Sequence, residues 1–242
     1  VCSSDLDQQT ADALSASGNR YLHTPHMDSL AANGVLFRKS YCTSPVCSPS
    51  RSSLVTSRMP HETGVPHNLH QDFDATLPNM GTIFRAAGYD TAWTGKWHLS
   101  KSYPRDAAVS GFEYLQPRPR PKRSFRGSNV DDNVADAAIA FLERERDKPF
   151  LLGVSLHNPH DICGLPRKGY PKPDDDKPLP PLPANFKRDP NEPEFISHQR
   201  KRDEYGPENT RTVSWSEDDW RCYLHRYYRY VEEVDVQVGR VL

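Results

Sequence analysis

The chain has 242 residues, enough for one sizeable domain or two small ones. Its formal net charge of -1 creates no global electrostatic field that would recruit nucleic acid or an anionic membrane. No apolar run is long enough to span a bilayer, and the five cysteines form no dense disulfide framework and do not define a redox compartment.

Helix and strand signals alternate along the chain. A first helix is predicted at 23–37, where Thr24 can cap it, Pro25 suits its first turn and Gly34 suits its end. The elements that follow are a helix at 77–87, a strand at 89–95, a helix at 129–146, a strand at 149–156 and a helix from near Ser216 to the end. Strands that alternate with helices predict an α/β fold, with a largely parallel sheet sandwiched by helices.

Two proline-rich segments, 116–126 and 166–193, interrupt this alternation. Proline excludes regular helix and central strand, so solvated loops are the simplest interpretation. The functional alternative is that both segments border a site for anionic substrates, because the first carries a basic cluster of Arg118, Arg120, Lys122 and Arg123.

Both ends of the chain look cut. The opening VCSSDL, residues 1–6, matches a translation of the tail of a common sequencing adapter, so we expect these residues, Cys2 included, to be non-native. The last predicted helix runs to the final residue, so we expect the fold to continue beyond Leu242.

The stretch CSPSR, residues 47–51, places a cysteine at a predicted helix start. Pro49 suits a first turn, so Cys47 lies at the positive end of the helix dipole, where an anion is favoured. Arg51, one turn further on, can reach back to the same place. A buried structural cysteine is the alternative interpretation.

Several motifs in a fixed order resemble those of the formylglycine-dependent sulfatases, in which a separate maturation enzyme oxidises the signature cysteine to formylglycine. CSPSR, continued by SSLVTSR and PHETGV, resembles the first signature, with Ser57 where the family commonly has glycine. TGKWH resembles the second signature and supplies Lys96 and His98. HNPHD resembles the histidine-bearing loop, with His160 at the catalytic position.

DQQ, residues 7–9, resembles the end of the family's first strand, where oxygen ligands bind calcium. VCSSDL stands where that apolar strand would be. The resemblance implies an alkaline phosphatase-like fold truncated at both ends, with 7–242 a partial sulfatase catalytic domain and 166–193 an insertion. It also implies a periplasmic or secreted protein.

The resemblance further implies hydrolysis of the sulfate ester of a small molecule or carbohydrate through hydrated formylglycine at position 47. One hydroxyl of the hydrate, activated at Ca²⁺, attacks sulfur, and the second loses its proton to His98 as sulfate leaves. Arg51 steadies the hydrate, Lys96 neutralises developing charge, and His160 hydrogen-bonds the sulfate or protonates the departing oxygen.

The implied Ca²⁺ ligands are Asp7, Gln8 and residue 47, with Gln8 where the family often has a second aspartate. The family's other metal pair and a further sulfate-binding lysine come after the point where this chain stops. We therefore expect the 242-residue chain alone to bind calcium poorly and to turn over little.

Three alternatives stay open at this point. A phosphonate or phosphodiester hydrolase of the same superfamily would have the same binding site for a tetrahedral anion. A non-catalytic binding protein would keep Cys47 as a thiol. His157, His160 and Cys163 could be read as zinc ligands, although no fourth ligand has suitable spacing.

Overall fold

The fold is seen in a computed structural model. It describes residues 2–68, 74, 76–99, 111–115, 128–165, 173, 176–187, 189–196, 212 and 215–242.

Four parallel strands form one sheet in the described part of the chain. They are β1 (Cys2–Asp7), β2 (Asp90–Gly95), β3 (Glu113–Leu115) and β4 (Phe150–Pro159). Their spatial order is β1-β4-β2-β3, with Leu6 opposite Leu156 and Ala92 opposite Leu152. The parallel sheet is confirmed, and it brings the residues after β1, β2 and β4 to the same edge.

Helices accompany the sheet, and residues 194–196 are helical as well. The helices that have both ends in this part of the chain are α1 (Pro25–Asn33), α2 (Cys47–Thr56), α3 (Pro60–Thr63), α4 (Met80–Ala86), α5 (Ser128–Leu142) and α6 (Glu217–Val241), with short 3-10 helices at Ser15–Ser17 and His160–Gly164.

Both faces of the sheet are covered. Successive strand residues point to opposite faces, so Ala92 packs in one apolar cluster and Trp93 in another. The first cluster includes Val134 of α5 and Val234 of α6, and the second includes Val55 of α2. Burial on both faces explains why β4 reads as an almost continuous apolar run. The sandwich of helices around a parallel sheet is confirmed.

Helix boundaries follow local capping chemistry. α1 lies within the predicted segment 23–37 and is bounded by the predicted residues Thr24 and Gly34. The Thr24 hydroxyl donates to the Asp28 carboxylate (3.1 Å) and accepts no hydrogen bond from a helix N–H. α4 begins later than predicted because Asn79 caps it, its Oδ1 accepting from the backbone N–H groups of the first turn. α6 starts as predicted after Ser216, whose Oγ accepts from Asp219 N–H (3.1 Å).

Three further predictions concern residues 1–6, the two proline-rich segments and the absence of a membrane-spanning run. Residues 2–7 pair with β4 through their backbones, which strands do whatever their side chains are, so the non-native origin of 1–6 stays a prediction. Segment 116–126 lies outside the described residues. Within 166–193, the described stretch 176–187 contains no helix or strand, in agreement with a loop. No helix in the described ranges has the length and apolar character that crossing a bilayer requires.

Candidate active site

Cys47 is the first residue of α2, as predicted. Val46 before it is extended (φ -134°), and the helical hydrogen bonds begin with Ser50 N–H donating to the Val46 carbonyl (3.0 Å). Pro49 lies in the first turn, where its missing N–H needs no partner. The half-buried thiol of Cys47 therefore lies where the helix dipole favours an anion.

Asp7 is the last residue of β1 and is only 6% exposed. Its Oδ2 is paired with Lys96 Nζ. Its Oδ1 lies 3.7 Å from Cys47 Sγ and 3.9 Å from Arg51 Nη2. Burial alone would raise the pKa of Asp7, but the charge of Lys96, with a smaller contribution from Arg51, holds that pKa below its usual value. Asp7 is therefore a buried carboxylate beside Cys47.

Lys96 follows a turn that only glycine allows. Gly95 ends β2 with φ +87°, and a Cβ there would overlap the Ser155 carbonyl. The same carbonyl accepts from Lys96 N–H (2.9 Å). Lys96 Nζ, besides pairing with Asp7, lies 3.6 Å from Cys47 Sγ. β2 ends before Lys96 and His98, so both residues lie in the segment that follows the strand.

Arg51 connects three elements behind the cysteine. It is 5% exposed, and its Nη1 donates to the Lys96 carbonyl and to Ser155 Oγ, both at 2.8 Å. The guanidinium therefore joins α2 to the turn after β2 and to β4, while its other nitrogen faces Asp7.

His160 begins the 3-10 helix directly after β4. Its Nε2 lies 4.0 Å from Asp7 Oδ2. Burial first, and then the charge of Lys96, lowers the pKa of His160 to about 4. His157 lies with its ring 5.0 Å from that of His160 and pairs with Asp161 (3.2 Å). His160, and not His157, faces the Asp7 carboxylate.

Gln8 and His98 each follow a strand of the sheet, β1 and β2, near the cysteine. Both are exposed and adopt positive φ angles, 69° and 53°, which non-glycine residues rarely do. The Gln8 amide oxygen accepts from the Cys163 thiol (3.1 Å). The His98 carbonyl accepts from Ser48 Oγ (2.7 Å), next to the cysteine.

Three supporting residues were missed by sequence reasoning. Ser155 holds Arg51, and a serine inside an otherwise apolar strand was its only signal. Buried Asp131 of α5 accepts from His157 N–H (2.6 Å) and Asn158 N–H (3.0 Å). Burial raises the pKa of Asp131.

Tyr227 of α6 is the third of these. Its hydroxyl donates to the Gln8 carbonyl and accepts from Thr10 N–H, both at 2.8 Å. Neither Asp131 nor Tyr227 stands in a recognisable motif, so no signal pointed to them.

The donor atoms allow a test of the metal expectation. Asp7, Cys47 and His160 form a group whose ligand atoms all lie within 4.8 Å of one another. Of the predicted ligands, Asp7 and Cys47 belong to this group. Gln8 follows Asp7 directly but its amide oxygen bonds Cys163. The residues present fit a cation at Asp7, with His160 as an additional donor that the sequence reasoning did not assign to the metal.

A cavity of about 480 Å³ lies beside Asp7 and Cys47 of this group. Its lining includes Asp7, Gln8, Cys47 and Arg51, together with Cys42. Asp7 and Cys47 therefore border a space large enough for a small anionic group.

Comparisons with known proteins agree with this arrangement. The sequence profile of the family described as Sulfatase matches residues 6–242. The Delta 4,5-hexuronate-2-O-sulfatase of Bacteroides thetaiotaomicron is 29% identical over 255 residues, which cover 98% of this chain and 50% of that protein. The chain therefore spans about half the length of this relative.

Solved structures show the same fold. A structure described as a 2-O GAG sulfatase has a TM-score of 0.84 and 27% identity, over 99% of this chain and 52% of that chain. The phosphonate monoester hydrolase of Agrobacterium radiobacter has a TM-score of 0.60 and 19% identity, over 99% of this chain and 57% of that chain. This second likeness shows a shared fold only. The fold is alkaline phosphatase-like, and the chain belongs to the sulfatase family.

Proposed function

We propose that this protein hydrolyses sulfate esters of a carbohydrate, with residue 47 converted to formylglycine by a separate maturation enzyme and with Ca²⁺ bound beside it. The observation that carries the proposal is the convergence of Asp7, Lys96 and His160 on Cys47, within 4.8 Å for the ligand atoms of Asp7, Cys47 and His160. The helix N-terminus and the ammonium group of Lys96 suit the binding of a tetrahedral anion, and the buried carboxylate of Asp7 suits the metal that polarises it.

The metal and the modified residue supply the chemistry that the unmodified side chains lack. Ca²⁺ would be held by Asp7 and residue 47, with Gln8 as a further candidate ligand. It would polarise the sulfate and lower the pKa of a hydroxyl of the hydrated residue 47. Formylglycine at position 47 would supply a hydrated aldehyde in place of a thiol.

The side chains around residue 47 would orient the sulfate group and neutralise its charge. Lys96 Nζ lies between Asp7 and Cys47, so it is placed to balance the charge of a sulfate against residue 47. Arg51 holds the turn that carries Lys96 and presents Nη2 toward the same region. His160 Nε2 lies 4.0 Å from Asp7 Oδ2, where its imidazole would contact the sulfate or the leaving oxygen. His98, fixed through its carbonyl to Ser48, is the proposed proton acceptor.

A sulfated carbohydrate is the proposed substrate class. Support comes from the activities that name two similar proteins, a hexuronate-2-O-sulfatase and a 2-O GAG sulfatase. The basic segment with Arg118 and Arg120, which would suit such a substrate, lies outside the described residues.

The test compares sulfate, phosphate and phosphonate esters as substrates of the full-length gene product, co-expressed with a maturation enzyme and loaded with Ca²⁺. Sulfate esters are expected to have the highest kcat/KM. Lys96→Ala should lower kcat/KM by roughly 100-fold to 1,000-fold, as loss of one charge-stabilising group does. The matched control is Lys39→Ala, an exposed lysine that should leave kcat/KM unchanged. Preference for phosphate or phosphonate esters would favour the rival hydrolase.

A further inference from the structure

The donor atoms around Cys47 depend on the chemical state of that residue. While residue 47 is a cysteine, the group offers a sulfur, an imidazole nitrogen and a carboxylate oxygen, from Cys47, His160 and Asp7. Zinc takes these three donors in proteins, whereas calcium takes oxygen ligands. We propose that the thiol form of this protein binds a borderline divalent cation, with Zn²⁺ as the occupant, through Asp7, Cys47 and His160.

The distances support a three-ligand site with little rearrangement. Cys47 Sγ lies 3.7 Å from Asp7 Oδ1, and His160 Nε2 lies 4.0 Å from Asp7 Oδ2. Ligands of a tetrahedral zinc ion stand about 3.5 Å apart, given the usual zinc–ligand bond lengths. The widest separation in the group, at most 4.8 Å, therefore has to close by roughly 1 Å.

The ligands come from three separate elements that the sheet holds together. Asp7 ends β1, Cys47 begins α2, and His160 follows β4 directly. β1 and β4 are hydrogen-bonded neighbours, so two of the three ligands leave adjacent strands at the same edge. Ligands on such elements are preorganised, which favours metal binding.

Lys96 provides the internal competitor for this cation. Its ammonium contacts Asp7 Oδ2 and lies 3.6 Å from Cys47 Sγ, so it takes a cation's place among the same donors. Zinc has to displace this charge, and the repulsion weakens its binding. We therefore expect that removal of the Lys96 charge strengthens zinc binding.

Conversion of residue 47 to an oxygen-bearing group removes the soft ligand. The same position would then favour a hard cation such as Ca²⁺. Only this consequence rests on the proposed function, and zinc binding by the thiol form stands without it.

The experiment uses the protein expressed without a maturation enzyme, titrated with Zn²⁺ alone and, separately, with Co²⁺ as a spectroscopic probe. One Zn²⁺ per chain is expected, and bound Co²⁺ should show a thiolate charge-transfer band. Cys47→Ser should abolish the band and weaken zinc binding by roughly 100-fold, since even the partners of metal ligands are each worth 10-fold to 100-fold. Cys163→Ser, which removes the thiol beside Gln8, is the control and should change neither readout.

The second variant is Lys96→Met, with exposed Lys39→Met as its control. Loss of the Lys96 charge should tighten zinc binding about tenfold, and loss of Lys39 should not. The proposal is overturned by a chain that binds no zinc at micromolar concentration, by binding that survives Cys47→Ser, or by weaker binding in Lys96→Met. Zinc binding by the thiol form together with a matured protein that hydrolyses no sulfate ester would reject the proposed function alone.

Discussion

Asp7 holds the candidate site together at the scale of single residues. It is a buried carboxylate, and its environment contains the cationic groups of Lys96 and Arg51. A buried charge that loses its partner is strongly destabilising. The ionic partners of Asp7 therefore contribute to folding as well as to chemistry.

Arg51→Met should reveal this structural contribution. The substitution removes the hydrogen bonds to the Lys96 carbonyl and to Ser155, together with a charge near Asp7. We expect a loss of about 3–5 kcal/mol in the free energy of unfolding, measured by urea denaturation. The exposed Arg58 offers the control, since Arg58→Met should cost less than about 0.5 kcal/mol. Equal effects of the two substitutions would contradict the bridging role of Arg51.

Sequence spacing explains only part of this site. Cys47 and Arg51 are one helical turn apart, so their proximity follows from the predicted helix. Asp7 and Lys96 are 89 residues apart, and only the ordered motifs suggested that they share a site. Positive φ at Gln8 and His98 depends on tertiary contacts, so no local pattern predicted it.

At the scale of elements, α5 and α6 hold the loops that carry the site. Tyr227 of α6 bonds the turn after β1, and Asp131 of α5 bonds the end of β4. The sequence predicted both helices, with α5 ending at Leu142 and not at Arg146. It did not predict which polar residue meets which loop, because that depends on how each helix crosses the sheet.

Tyr227→Phe isolates the contact made by α6. It removes one hydroxyl and leaves the Gln8 carbonyl and the Thr10 N–H without that partner. We expect a loss of about 1–3 kcal/mol in unfolding free energy and faster hydrogen exchange at the Thr10 amide. Tyr228→Phe is the matched control, because Tyr228 packs in the same apolar cluster while the bonds to Gln8 and Thr10 come from Tyr227. Unchanged exchange at Thr10 in Tyr227→Phe would show that α6 does not hold the turn.

Asp131→Asn tests the contact made by α5. One carboxylate oxygen is replaced by an amide NH₂ that cannot accept from the His157 or Asn158 N–H. We expect a loss of about 1–3 kcal/mol in unfolding free energy, with faster exchange at one of these two amides.

The control for this substitution is the neighbouring Asp132, whose side chain is 44% exposed and accepts from Gln237 Nε2. Asp132→Asn keeps an amide oxygen for that bond and should cost less than about 0.5 kcal/mol. A larger loss from Asp132→Asn than from Asp131→Asn would contradict the role given to α5.

At the scale of the whole molecule, the parallel sheet determines where the site lies. Alternating helix and strand signals predicted this architecture, and both covered faces follow from the apolar strands. The strand order β1-β4-β2-β3 was not predicted, since local periodicity carries no information about which strands become neighbours. That order places Asp7 and His160 at the ends of adjacent strands, with Lys96 directly after the end of the next strand.

The central claim is that residue 47 becomes formylglycine in this cluster. The direct measurement is the mass of the tryptic peptide 40–51, which contains both Cys42 and Cys47, from protein co-expressed with a maturation enzyme. We predict a loss of about 18 Da, located by fragmentation at residue 47, with an aldehyde that reacts with hydrazides and an unchanged Cys42. A peptide in which both residues remain thiols would contradict the claim and favour a binding protein.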